Sequence, residues 1–307
     1  MVVAPGVRLR IQKGLLRFLV FFKDLINRLM VKLQNSTLTE KAELSEYLSY
    51  PGEIDNFNAR HPKLREELES LFQIVNKVFW GRTFRYTKDP DRAIYPLGFA
   101  CVEEFGEILL MSGNGMGLGA KKLLRSFYER ALTAAYIEQN PATATSFLEY
   151  HSIHQGKLLR ESKNVFDMSQ ALSDEKIQEI EAAFDAAKPN FQIADCRKCG
   201  TTRLNHTWTK VDVASMSKKV GGDFQTLYLA GCFLPQLQLH ATPTSLMAMM
   251  KLGNRTPDTY RQEADQALRT AHILLILVLE TQNRHFQLGF EKELELRREG
   301  YEKAWSP

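Results

Sequence analysis

Cysteine is scarce in this chain of 307 residues, with only Cys101, Cys196, Cys199 and Cys232. Without a secretory signal, so few thiols read as reduced groups in a cytoplasmic protein, or as metal ligands, before they read as disulfides. Long apolar runs are lacking too. The longest, Ile273 to Leu279, falls far below the roughly 18 residues of a membrane-spanning helix, so a soluble or peripheral protein is expected. Charge of one sign is not in large excess: the net charge of +4 gives no specific nucleic-acid signal. No stretch alternates polar and apolar residues for long enough to demand a sheet, and no segment recurs at a fixed period.

What is present is helical periodicity, and the expected fold class is all-α: one irregular multi-helix bundle with long helices and a non-helical Cys-x2-Cys insertion. Residues 1–35 form a basic amphipathic N-terminal helix, in which Arg8, Arg10, Lys13, Arg17 and Lys23 interleave with Leu15, Leu16, Phe18, Leu19, Phe21 and Phe22. Such a helix packs on the body of the protein or makes peripheral contact with an anionic membrane. Residues 36–307 read as a single helical domain. Thr37 and Glu40 have capping-box form for a short helix that Pro51 and Gly52 end. A helix over Pro62–Trp80, a loop over Arg82–Asp91 and a helix over Leu97–Met111 follow. Pro141 opens a helix to about Phe166, Ser173 caps another that Pro189 stops, and Asn190 to Lys210 is irregular. Beyond it come a short helix between Asp212 and Gly221, a Pro235-bent helix over Phe224–Leu239, and a Met-rich turn of helix over Ser245–Lys251. Thr256 and Pro257 then start a final helix running to about Ala304.

The clearest helical pattern is Leu123–Ile137. Leu124, Phe127, Tyr128, Ala131, Ala134 and Ala135 share one face, and Arg125, Glu129 and Tyr136 make a polar stripe beside it. Arg125 and Glu129 are spaced i,i+4, which suits either a structural ion pair or a carboxylate held in a cleft as acid or base. The Gly-rich GNGMGLGAKK at residues 113–122 lacks the Gly-Lys-Ser/Thr ending of a phosphate loop and follows a helix where a nucleotide fold has a strand, so it reads as a connection. His151 and His154 are spaced i,i+3, but no Glu-x-x-His accompanies them. Convergence with Glu104 and Glu129 is what a metal would require. Cys196 and Cys199 form a Cys-x2-Cys followed by Gly, with His206 as a third candidate ligand. Zinc, a redox pair and an unliganded turn all remain open, since a closed zinc site needs a fourth ligand from elsewhere.

Three stretches in order, AKKLLRSFYERALTAAYI, HTWTKVDVASMSKKVG and TLYLAGCFLPQLQLHATPTSL, resemble an uncharacterised, mostly bacterial all-helical family, the domain of unknown function numbered five-six-seven-seven. Arg125, Glu129, Trp208, Tyr228 and His240 occupy the places of its arginine, glutamate, tryptophan, tyrosine and histidine, and the likeness covers the middle of the chain. The resemblance implies a helical fold and brings no activity. Some such helical families sit near ribonucleases marked by Arg and, four to six residues on, His; Arg203-Leu-Asn-His206 is too short for that mark. Two functions are therefore expected in competition. One is a module that binds a partner protein or small ligand in a polar cleft between the Leu123 and Phe224 helices. The other is a hydrolase or nuclease, in defence or stress response, with Glu129 or His240 as acid–base, Arg125 holding a phosphate and Tyr228 beside them.

Overall fold

The computed structural model describes residues 52–81, 86–163, 172–195, 200–239, 243, 245 and 257–306. The helices expected over residues 1–35 and after Thr37 lie outside them, as does the Met-rich helix apart from Ser245. The chain divides into Met1–Ile54 and Asp55–Pro307, and the second unit carries the bundle.

The described helices are α1 (Glu53–Arg60), α2 (Leu64–Phe79), α3 (Asp89–Gly113), α4 (Gly117–Gln139), α5 (Ala144–Lys163), α6 (Asp174–Ala187), α7 (Val213–Val220), α8 (Gly222–Tyr228), α9 (Leu234–Leu239), α10 (Pro257–Phe286) and α11 (Glu291–Ala304). The all-α expectation holds, with one addition. Gln192–Ala194 (β1) and Thr202–Leu204 (β2) pair antiparallel as a two-stranded ribbon inside the irregular stretch, Ile193 opposite Arg203. Strands of three residues carry too little alternation to be seen in sequence.

Helices α3, α4 and α10 pack on one another as the centre of the bundle. The reason for α10 is plain in its composition: every residue from His272 to Leu279 is buried, so this stretch is enclosed on all sides. Helix α2 presents Leu64, Leu68, Leu71, Val75 and Val78 at helical spacing to the same core. Helices α5 and α6 close a smaller cluster of Tyr150, Ile153, Phe184 and Phe191. Trp208 touches this cluster, the main core and the small Ile94–Ile137 cluster, with its ring 5.3 Å from Phe147 and 6.2 Å from Tyr136.

Three boundaries differ from the sequence expectation. The Gly-rich stretch read as a connection is one only at 114–116, and Gly117 to Lys122 already belong to α4. Helix α3 begins at Asp89, inside the expected loop, because Pro90 takes a first-turn position and the Asp91 carboxylate accepts from the Lys88 N–H at 3.3 Å. The final helix is not continuous to Ala304. It stops at Phe286, and Gln287 (φ 51°) and Gly289 (φ 79°) reverse the chain into α11. Asn283 holds the turn: its backbone carbonyl accepts from the Leu288 N–H at 3.1 Å, and its side-chain oxygen from the Phe290 N–H at 2.9 Å. The reversal lets Arg298 of α11 grip Glu280 of α10 at 2.5 and 2.9 Å and Asp223 of α8 at 2.7 Å. It also sets Arg297 2.7 Å from the buried Glu67 of α2.

Candidate functional site

Helix α4 organises the site. Its apolar face is buried as expected, with Leu124, Phe127, Tyr128, Ala131, Ala134 and Ala135 all at or near zero exposure, whereas Tyr136, expected in the polar stripe, is buried too, against Trp208. The chain from α7 to α9 runs back along α4. Gln139 donates to Val220 O at 3.4 Å, Tyr128 donates its hydroxyl to Phe224 O at 2.6 Å, and the Cys232 thiol lies 4.0 Å from Glu129 Oε1.

Between α8 and α9 the backbone widens into a π turn, Leu229–Phe233, in which the Leu234 N–H donates to the carbonyl of Leu229, five residues back. The sequence reading placed a bend here through Pro235; what the structure forms is this wider turn. Proline at 235 has no N–H to give Gly231 O, and its ring would press on that carbonyl in a regular α-helix. Gly231 contributes in a second way: a Cβ there would lie 2.7 Å from Cδ2 of the Tyr128 ring.

Arg125 Nε donates to Glu129 Oε1 at 2.9 Å, so the i,i+4 pair of the sequence reading is formed. Tyr228 stands in the same neighbourhood, its ring 6.3 Å from that of Tyr128. Burial raises the Tyr228 phenol above its ordinary range, with the nearby Cys232 and Glu129 adding to the rise and Arg125 opposing it. Burial, then the Glu129 carboxylate, pushes the Cys232 thiol up to about 11, which leaves it protonated and unreactive at neutral pH. His240 lies outside the described residues, so the expected four-residue constellation is seen as Arg125, Glu129 and Tyr228, with Cys232 as the neighbour that was not singled out.

The other metal candidates separate. Glu104 pairs with Arg130 at 2.8 Å, Glu129 with Arg125, and His154 stacks on Tyr150 at 4.6 Å. Among the described residues no group of three or more His, Cys, Asp or Glu side chains could hold a metal ion. Cys196 and Cys199 lie outside the described residues. Asp195 and Thr201, which flank them, close one end of the β-ribbon through an N–H to carbonyl bond of 2.8 Å, and His206 follows the ribbon's other end.

A cavity of about 270 Å³ opens between α4, the π turn with α9, and α10. Leu124, Ala230, Leu234, Pro235, Leu237 and Ala267 make its apolar walls, and Lys121, Gln238, Ser245, Gln266 and Thr270 supply polar groups. Lys121 is already matched by Glu263 at 3.2 Å. The carbonyl oxygen of the Gln238 side chain is different: it is buried and has no hydrogen-bond partner among the described residues. Sequence spacing does not reveal it, because the π turn breaks the regular helical register between Ala230 and Leu234. Arg125 and Glu129 lie outside this cavity's wall. Two other clefts carry less: one of about 410 Å³ is flanked by charges that satisfy one another, Arg298 with Glu280 and Asp223, and Arg284 with Glu138; the other, of about 280 Å³, lies beside Trp208 and the ribbon.

Among the described residues no helix is long and apolar enough to cross a membrane. A model of a family of unknown function, DUF5677, matches residues 92–257, more than half of the chain. No curated protein and no solved structure matches it.

Proposed function

The chain belongs to the family of unknown function DUF5677, and from its geometry we propose that it is a binding module whose cavity between α4, α9 and α10 receives a small molecule. The observation that supports this is the unpartnered Gln238 carbonyl on the wall of that cavity. A buried acceptor without a donor costs about 1–3 kcal/mol. An apolar side chain would avoid that cost, so the amide is better explained by a ligand that completes it.

The catalytic alternative has less to recommend it. The Nε–H of Arg125 is occupied by Glu129, and the thiol that meets Glu129 is held protonated. A half-exposed pair that satisfies itself is the ordinary structural use of this spacing.

Saturation-transfer NMR on the full chain with a set of single-ring compounds tests the binding reading. Binders should be found, and they should be lost in Ala230→Phe, which adds a ring at an exposed position on the cavity wall. Binding that Ala230→Phe leaves intact, or none at all, rules out this cavity as the site.

A further inference from the structure

The cavity's polar groups restrict what it can hold, and this step rests on the binding reading just given. Lys121 carries the sole formal charge among the described lining residues, and Glu263 neutralises it at 3.2 Å. An anionic ligand would have to compete with that carboxylate, and a cation would meet an ammonium group. The complement of the site is therefore a neutral molecule.

Gln238 sets the second restriction. Its side-chain oxygen is buried without a partner among the described residues and asks for an N–H or O–H donor. Turning the amide over exchanges its oxygen and nitrogen, and the buried atom would then ask for an acceptor. A carboxamide or lactam edge answers both orientations, because it presents a donor and an acceptor side by side in one plane. The apolar walls of Leu124, Leu234 and Leu237 then enclose the rest of the ligand. The space is that of about nine liquid waters, which suits a single ring with one substituent.

We propose that the cavity between α4, α9 and α10 binds a small neutral ring compound through a carboxamide or lactam edge that pairs with the Gln238 side-chain amide.

Benzamide, acetophenone, toluene and benzoate are the probes, titrated against the full chain and against Gln238→Met and Gln238→Leu. Acetophenone keeps the shape and acceptor of benzamide but has no N–H; toluene has neither group; benzoate carries the charge. Benzamide should bind about tenfold tighter than the other three, the worth of one buried hydrogen bond. Both variants should erase that preference. Without ligand the variants should also melt at a higher temperature than the natural chain, since they remove an unpaired buried acceptor. Equal binding of benzamide, acetophenone and toluene, lost in Ala230→Phe but indifferent to Gln238, overturns the proposed ligand class and leaves the cavity as a binding site. Tightest binding by benzoate overturns the neutral class. Binding of none of the four overturns the cavity reading and this one with it. A lower melting temperature in both Gln238 variants would mean that the amide is held for the fold, and would also overturn the proposal.

Discussion

His272 offers the sharpest test of how this bundle is balanced. It lies on α10 with no exposure, in the stretch that is enclosed on all sides. Trp305 donates its indole N–H to Nδ1 at 3.1 Å, so the neutral ring carries its proton on Nε2, which is buried and has no partner among the described residues. Protonating the ring would turn Nδ1 into a donor facing the indole donor. Burial, and after it the charge of Arg297, lowers the imidazole from 6.5 to about 4. The folded protein therefore refuses a proton that the unfolded chain accepts. The stability held by the neutral ring is complete above pH 6.5 and is lost as pH falls towards 4, and a shift of this size corresponds to about 3 kcal/mol. Carboxylates titrate over part of the same range, so the quantity to measure is a difference. Urea unfolding of the natural chain and of His272→Gln at pH 7, 5.5 and 4.5 should show the natural chain losing about 2–3 kcal/mol more than the variant on acidification. Parallel profiles would show that the ring is protonated in place, and the argument from its burial would be wrong.

Three further outcomes are expected. Glu129→Gln should cost about 0.5 kcal/mol in urea unfolding, because the pair with Arg125 is only partly shielded; a cost several times larger would mean that the carboxylate supports more than its neighbour on the helix. Gly231→Ala should cost about 1–3 kcal/mol, since the added carbon meets the Tyr128 ring and that ring is tethered through its hydroxyl to Phe224 O; an unchanged midpoint would show that Tyr128 can give way. If Cys196, Cys199 and His206 bind zinc, elemental analysis of purified protein should find stoichiometric metal that is lost on changing both cysteines to serine, and folded zinc-free protein would end that reading.

Much of this architecture was legible in sequence because burial follows the 3.6-residue period. Leu124, Phe127 and Tyr128 could be assigned to a buried face, and Arg125 to Glu129, from spacing alone. The interruption after Phe286 was not legible. The charges from Glu291 onward continue a helical pattern, and the turn depends on Asn283 reaching seven residues ahead to the Phe290 N–H. The start of α3 was written in Pro90, but a capping carboxylate supplied by Asp91 from inside the first turn looks like a loop residue until the hydrogen bond is seen. At the candidate site, the sequence pointed to charged and titratable groups, whereas the unusual group is a neutral amide. Charge draws notice in a sequence; an unsatisfied amide becomes visible only when its surroundings are known.

The π turn ties the apolar face of α4 to the cavity. One extra residue in a helical turn rotates everything after it by about 100°, so each residue of α9 takes the angular place its predecessor would hold in an unbroken α-helix. The wall residues Leu234, Leu237 and Gln238 thus stand where Phe233, Gln236 and Leu237 would otherwise be. The rotation has its origin in two residues, Gly231, whose bare backbone admits the Tyr128 ring, and Pro235, which has no N–H for the regular ladder. The same Tyr128 belongs to the face that makes α4 a core helix. Packing at the centre of the bundle and the choice of residues on the cavity wall are in this way consequences of one contact. A change that relaxes the contact should alter both, which a merely structural bend at Pro235 would not require.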